Sequence, residues 1–289
     1  MVVGISDEVL SAQELTAEVV ECRFLTPFIR EIRLRLPGND FEYAAGSYVH
    51  VRVPPYQLEY AALELTTEAK SACEARGVPG ARVNESEIRR AYSLATPCEQ
   101  EPGTIVLNVR LMVPPEGSHA LPVGVGSTYM WSLQPGDKLE IVGPLGDFRA
   151  RESDADMIFI GGGAGMAPLR AIIRSELQYA RSGRKIDYWY GARARADLFY
   201  ATEFDSLQEE HANFRWQPVL SEPLAADGWE GPTGFVHTIA LQVLKSQNRD
   251  LAACEFYVCG PPPMLSATRK ILADNKVPET SVFFDDFGI

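Results

Sequence analysis

Residues 157–170, Met-Ile-Phe-Ile-Gly-Gly-Gly-Ala-Gly-Met-Ala-Pro-Leu-Arg, decide the fold of the second half of the chain. The apolar run 157–160 reads as a short buried strand. The glycine-rich 161–165 reads as a turn, and 167–182 carries apolar residues at helical spacing. Glycine has no Cβ, so the backbone of such a turn can press against a ligand. The helix behind it aims free N–H groups and the positive end of its dipole at whatever lies over the turn, and a pyrophosphate fits there. A tight turn that uses glycine for shape alone fits the same residues, because the spacing is not G-x-G-x-x-G.

Outward toward the C-terminus the pattern repeats. Apolar runs at 186–190, 214–220, 256–259 and 281–284 alternate with helix-period segments at 204–211, 235–245 and 264–275. Strands alternating with helices imply right-handed βαβ units and a parallel sheet. The run 256–259 leads into Cys259-Gly-Pro-Pro-Pro-Met264, a second loop at the carboxyl edge, where open α/β sheets bind ligands. Gly260 would let the backbone approach a flat ring, with Pro261 and Pro262 stiffening the loop. Read alone, the segment is equally a rigid turn before a helix, and Cys259 a small buried residue.

Toward the N-terminus the texture differs. Short β-type runs at 18–24, 29–36, 47–53 and 105–113, punctuated by Gly and Pro, predict an antiparallel barrel or sandwich. One helical stretch interrupts them at 127–133. The segment 54–88 is longer than an ordinary loop and reads as an insertion with its own role. The polar stretch 151–154 divides the two textures. The expected plan is a tail at 1–17, a β-barrel domain at 18–153 and an α/β domain at 154–289. Within the first domain, Arg90-Ala-Tyr-Ser93 offers a guanidinium for a phosphate, Tyr92 to cover a ring and Ser93 to donate a hydrogen bond. These residues taken alone favour an ordinary strand. Gly124-Val-Gly-Ser-Thr128 opens the helix with free N–H groups and the hydroxyls of Ser127 and Thr128, which is either a second phosphate seat or a plain N-cap.

The chain has 289 residues and a formal net charge of −12, which opposes nonspecific attraction to nucleic acid or an anionic membrane. No apolar run reaches the length of a membrane helix, and residues 1–20 lack the basic start of a secretory signal. The five cysteines form no C-x-x-C pair and the four histidines are scattered, so reduced thiols, a cytoplasmic location and no metal site are expected.

Taken together and in this order, these segments resemble the ferredoxin–NADP reductase superfamily. Arg90, Tyr92 and Ser93 match its R-x-Y-S flavin motif, while the glycine loop and Cys259-Gly-Pro-Pro262 match its nicotinamide motifs. Further stretches narrow the likeness. They are Asn108-Val-Arg110, Tyr129-Met-Trp-Ser-Leu133, Trp189-Tyr-Gly-Ala-Arg193 and Asp285-Asp-Phe-Gly288. With them the chain resembles the family of flavin-containing F subunits of the bacterial sodium-translocating NADH:quinone oxidoreductase.

The resemblance implies FAD and NADH as cofactors and hydride transfer between them, followed by single-electron transfer to an iron–sulfur partner on the way to quinone. It implies that Arg90 binds the FAD pyrophosphate, that Tyr92 packs on the isoalloxazine, and that Ser93 hydrogen-bonds near its N5. Asn108, Val109 and Arg110 would line the flavin, and Gly124, Gly126, Ser127 and Thr128 would hold its diphosphate. Gly162, Gly163, Ala164, Gly165 and Met166 would hold the NADH diphosphate, with Cys259 and Gly260 beside the nicotinamide. Phe287 matches an aromatic residue that shields the flavin where nicotinamide enters. Arg193 lies where a 2′-phosphate would sit, yet Asp197 is close by, and NADH is expected. That family also carries a membrane helix and iron–sulfur ligands in a C-x5-C-x2-C pattern, and this sequence has neither. The electron acceptor is therefore expected in another domain, protein or subunit, at the cytoplasmic face of a membrane if the full complex forms. Two other readings share the same segments: an NADH reductase component feeding a soluble oxygenase, and a flavin-binding electron-transfer subunit without nicotinamide turnover.

Overall fold

The computed structural model describes residues 12–78, 80–114 and 124–286. Phe287, a candidate from the sequence, lies outside the described residues.

The first half is built on strands β1 (Gln13–Thr26), β2 (Ile29–Arg35), β3 (Tyr48–Val53), β6 (Ile88–Ser93), β7 (Thr104–Arg110) and β8 (Lys138–Leu145). They form a six-stranded antiparallel sheet in the order β6-β3-β8-β1-β2-β7. Just past β6, Leu94 bridges Leu107 of β7, and the Ala95 N–H donates to the Val106 carbonyl at 2.8 Å. The two edge strands thus meet and the sheet closes into a barrel, which removes its free edges. Alternate residues point inward: Val49, Val51 and Val53 from β3 meet Ile105, Leu107 and Val109 from β7 in one buried core. Helix α2 (Val125–Ser132) packs on this core through Met130 and Trp131, and the Trp131 Nε1–H donates to the Val109 carbonyl at 3.1 Å.

Two expectations for this half are corrected. Residues 13–17, expected in a tail, belong to β1, where they pair with β8 from Gln13 opposite Gly143 to Ala17 opposite Leu139. Their alternation sends Leu15 and Ala17 to the core and Glu14 and Thr16 outward. Strand β8 was not expected at all. The insertion is ordered as a hairpin, β4 (Tyr56–Glu59) with β5 (Ala81–Asn84), carrying helix α1 (Thr67–Ala75). It braces α2, because the Tyr56 hydroxyl donates to the Val125 carbonyl at 2.5 Å and the Tyr60 hydroxyl lies 3.2 Å from that of Thr128.

The second half is built from β9 (Asp156–Gly162), β10 (Ile186–Ala192), β11 (Phe214–Leu220), β12 (Cys254–Cys259) and β13 (Val282–Asp285). They form a five-stranded parallel sheet in the order β11-β10-β9-β12-β13. Helices α3 (Met166–Arg174) and α4 (Ala201–Glu210) cover one face, burying Leu169 and Phe204 against Tyr188 and Trp216. On the other face α5 (Val236–Ser246) and α6 (Pro262–Asp274) bury Leu241, Leu244 and Leu265 against Ile158 and Val258. With both faces covered, every residue of β12 is buried, as a central parallel strand requires. The strand order reverses between β9 and β12, so a crevice opens at their carboxyl ends. There the strand runs two residues into the glycine segment, to Gly162, and a 3-10 turn at Gly163–Gly165 leads directly into α3. Helix α3 is shorter than the 167–182 expected and continues as a π turn at Ser175–Tyr179.

Barrel and sheet are joined by buried polar contacts. Arg170 of α3 is 5% exposed, forms a two-pronged pair with Glu203 of α4 at 2.8 and 2.7 Å, and donates to the Ala95 carbonyl past β6 at 2.5 Å.

Candidate active site at the barrel–sheet junction

Two cavities open where the barrel meets the carboxyl edge of the parallel sheet. The first, about 540 Å³, is lined on the barrel side by Arg90, Tyr92, Ser93 and Asn108, with Gly124, Gly126 and Ser127 from the start of α2. From the sheet side Gly162, Ala164, Gly165, Gly260, Pro261 and Pro262 close it. The second, about 520 Å³, is lined by Gly162, Gly163, Arg193, Asp197, Phe235 and His237 among others. Arg110, Gly162 and Pro261 belong to both, so the two cavities adjoin.

The local geometry follows from close backbone packing. A Cβ on Gly165 would stand 2.1 Å from the Cys259 carbonyl oxygen, so only glycine lets the β9 turn lie against the end of β12. A Cβ on Gly126 would come within 2.7 Å of the Arg90 Cγ and 3.3 Å of the Tyr92 hydroxyl. The first turn of α2 therefore lies directly against Arg90 and Tyr92. Ser127 is occupied locally, its Oγ accepting from the Met112 N–H at 3.1 Å and donating to the Gly124 carbonyl at 3.3 Å.

Behind Ser93, which lines the first cavity, a small polar cluster joins three elements. The Ser93 hydroxyl at the end of β6 donates to the Asp285 carboxylate at 3.2 Å, and the Cys259 thiol at the end of β12 lies 3.8 Å from the same oxygen. Burial, reinforced by the neighbouring Asp286 and Asp147 carboxylates, pushes the Asp285 carboxyl up to about 6, even though the Ser93 and Cys259 hydrogen bonds pull it down. Burial also pushes the Cys259 thiol well above its ordinary value, with Asp285 adding to the effect, so the sulfur keeps its proton. Such a cluster can hold or release a proton near neutral pH beside a cavity.

The structure brings most of the sequence candidates to these two cavities, and four stand apart. Val109 is fully buried in the barrel core, and Thr128 is fully buried with its hydroxyl turned to Tyr60, so only Ser127 of the two expected hydroxyls reaches the cavity. Met166 is fully buried against the second core and its sulfur accepts from the Tyr188 hydroxyl at 3.2 Å. Cys259 has no exposed surface and reaches the site only through its thiol. Asp285 was missed by the sequence reading as a site residue. The signal available was its position at the end of a strand, since a strand extended by one residue beyond 284 carries it to the carboxyl edge.

Comparison with known proteins accords with this geometry. Residues 78–150 match the family model for an oxidoreductase FAD-binding domain, and residues 159–270 that for an oxidoreductase NAD-binding domain. The chain is 40% identical over 291 residues to the F subunit of the Na(+)-translocating NADH-quinone reductase of Pseudoalteromonas atlantica, covering 100% of this chain and 71% of that relative. This chain belongs to that F-subunit family. Among solved structures, a cytochrome P450 reductase of Amycolatopsis is similar with a TM-score of 0.71 and 27% identity, over 96% of this chain and 70% of that one. The cytochrome b5 reductase domain of Ulva prolifera nitrate reductase shares the fold at a TM-score of 0.70 and 19% identity, over 94% of this chain and 97% of that one.

As a member of that family, the chain is an oxidoreductase with an FAD-binding barrel and an NAD-binding parallel sheet. The residues present fit a flavin. The first cavity has a glycine at the point where α2 must approach a ligand and an aromatic ring in Tyr92. It also has a buried acceptor, Asn108 Oδ1, that no donor among the described residues reaches. Among the described residues no helix is long and apolar enough to cross a membrane, and no group of His, Cys, Asp and Glu is arranged to hold a metal ion.

Proposed function

We propose that this chain takes hydride from NADH onto FAD at the barrel–sheet junction and passes the electrons singly to an iron–sulfur centre, as part of a quinone-reducing assembly at the cytoplasmic face of a membrane. The observation that carries the reading is that the two cavities adjoin at Arg110, Gly162 and Pro261, where the barrel residues Arg90, Tyr92 and Ser93 face the glycine and proline loops of the parallel sheet. In this reading the barrel from residue 13 to 153, with its insertion, forms the FAD-binding domain and 154–289 the NADH-binding domain. FAD, when bound, supplies a centre that accepts two electrons together and releases them one at a time.

The protein's own groups bind, orient and protect. Arg90 neutralises the FAD pyrophosphate, with the N–H groups of residues 124–127 beside it. Tyr92 covers the ring, and Ser93 presents its hydroxyl to the reacting edge. Gly162 to Gly165 hold the NADH diphosphate at the start of α3, with Met166 as buried support, while Cys259, Gly260, Pro261 and Pro262 shape the nicotinamide seat. Phe287 would shield the ring until nicotinamide enters. Holding both partners in one geometry is the main catalytic contribution open to such a site.

Preference for NADH follows from how the cations at the end of β10 are engaged. The Arg193 Nε–H donates to Asp197 at 3.2 Å, and the Arg195 guanidinium donates to the Asp227 carbonyl at 2.9 Å. A 2′-phosphate in the second cavity would have to compete with the Asp197 carboxylate for Arg193. Asp197→Asn is expected to narrow the preference for NADH over NADPH by about tenfold, since removing one charge within a few ångströms of a phosphate is worth about 1.4 kcal/mol at a protein surface. Stopped-flow reduction with each nucleotide reads the ratio.

The function itself is tested by anaerobic addition of NADH to the purified yellow protein. Loss of the flavin band at 1:1 stoichiometry supports the reading. A colourless protein that cannot take up FAD overturns it, and a yellow one that NADH leaves unchanged reduces it to a flavin-binding electron carrier. The likeness to a P450 reductase favours a second reading, a reductase for a soluble acceptor. Electron delivery to added soluble iron–sulfur proteins as fast as to quinone-reductase partners would support that alternative.

A further inference from the structure

Tyr200 lies between β10 and α4 with φ +57°, a backbone region that an aromatic residue enters only when its surroundings hold it there. Three contacts hold it. Its ring lies under the Arg170 guanidinium, 4.2 Å from the centroid, and its hydroxyl crosses from the parallel sheet to the barrel. There it donates to the Glu31 carboxylate of β2 and accepts from the Asn108 Nδ2–H of β7 at 2.8 Å.

The direction of these two bonds is fixed by charge. Glu31 is 3% exposed and held by a two-pronged contact from Arg23 at 2.6 and 3.1 Å. Burial alone would raise its pKa, but Arg23 and the Tyr200 hydroxyl outweigh burial and hold the carboxyl below its ordinary value. A carboxylate can only accept, so the single proton of the Tyr200 hydroxyl goes to Glu31. The hydroxyl then faces Asn108 with a lone pair, and only the amide nitrogen of Asn108 can meet it. The amide oxygen is thereby turned away. Asn108 is 5% exposed and lines the first cavity, and its Oδ1 has no hydrogen-bond donor among the described residues. A buried acceptor of that kind is costly unless something arrives to satisfy it.

The polar edge of an oxidised isoalloxazine carries several acceptors and a single donor, the imide N3–H. We propose that Tyr200 is a positioning residue for the flavin: from the nucleotide-binding half it fixes the Asn108 amide so that Oδ1 accepts from the flavin imide. The arrangement also makes flavin affinity depend on the docking of the two halves, since the hydroxyl that sets the amide comes from the far side of the junction. This rests on the flavin reading of the first cavity.

The test compares FAD with FAD methylated at N3, which lacks the donor, by fluorescence quenching on flavin-free full-length protein. The wild type is expected to prefer FAD about tenfold, as one hydrogen bond to a buried acceptor allows. Tyr200→Phe keeps the ring under Arg170 and removes only the hydroxyl, and its preference is expected to fall to about twofold. Glu31→Gln, which frees the direction of the hydroxyl proton, is expected to lower it likewise, and it serves if Tyr200→Phe does not fold. Asn108→Ala is expected to bind the two flavins alike. General loosening of the junction would weaken both flavins together and leave their ratio unchanged. Equal binding of both flavins by the wild type overturns the proposal, as does a tenfold preference that survives in Tyr200→Phe or in Asn108→Ala, where the methyl group alone would be its cause. Failure of the wild type to bind either flavin would instead sink the flavin reading itself.

Discussion

Gly165→Ala is expected to cut NADH-dependent flavin reduction by about a hundredfold or more while leaving FAD bound. The added methyl would stand 2.1 Å from the Cys259 carbonyl oxygen and 2.7 Å from the Gly260 nitrogen, both backbone atoms that cannot swing aside. The φ of −61° at Gly165 suits alanine, so the damage is steric and confined to the β9–β12 junction. Relief requires the end of β12 to move by about 1 Å, and displacement of that size at a reacting centre costs about two orders of magnitude in rate. Overpacking should also lower stability by about 1–3 kcal/mol. Arg90, Tyr92 and α2 belong to the barrel and do not rest on this junction, so the flavin spectrum of the variant should stay close to wild type. Stopped-flow reduction together with a thermal melt reads both effects. A variant reduced by NADH at the wild-type rate would show that this contact does not set the nicotinamide geometry.

The same junction explains why the parallel sheet was legible from sequence. Its central strands are buried on both faces, so they appear as apolar runs such as Met157-Ile-Phe-Ile160, and β9 ends in Gly162 while Gly260 follows β12, where the backbone must crowd. The barrel was less legible. Its strands face water on one side, and their signal is an alternation that turn-forming residues can mask. Strand β8 shows this: Leu139 and Ile141 point inward and Lys138 and Glu140 outward, but Gly143-Pro144 reads as a turn. Pairing on both sides, with β1 and with β3, overrides that local preference. The insertion could be seen as extra chain, but its bracing of α2 depends on the Tyr56 and Tyr60 hydroxyls finding partners far away in sequence.

The site was legible to the extent that it is made of backbone. Glycine and proline loops announce themselves, and they do line the cavities. Side-chain partnerships across the junction do not, because neither residue of a pair carries a local mark. Thr128 has the look of a hydroxyl at a helix start, and nothing near it in sequence points to Tyr60. Asn108 gives no hint that Tyr200 sets its amide. Asp285 belongs to the same class. Only the register of β13 beside β12, with Asp285 opposite Cys259, brings its carboxyl to Ser93.

That carboxyl gives the second large effect, a trade between stability and turnover. Its pKa is raised from the ordinary 3.8 to about 6, chiefly by burial. Well below pH 3.8 the group is neutral in folded and unfolded chains alike and costs nothing. Between about 4 and 6 the unfolded chain releases the proton while the folded one keeps it, so stability falls as pH rises through that window. Above 6 both forms are ionised and the full penalty is present, about 2 kcal/mol after allowing for partial solvent access. Asp285→Asn removes the ionisation and still accepts from Ser93. It is therefore expected to raise stability at pH 7 by about 1–2 kcal/mol and to change it little at pH 4, as urea melts at the two pH values would show. Its rate of reduction by NADH is expected to fall by about 10²-fold, the usual size of a positioned proton-handling group. The wild-type rate should depend on pH around 6, and the variant should lose that inflection. A variant that is stabilised but unchanged in rate and pH profile would assign Asp285 a purely structural place between Ser93 and Cys259.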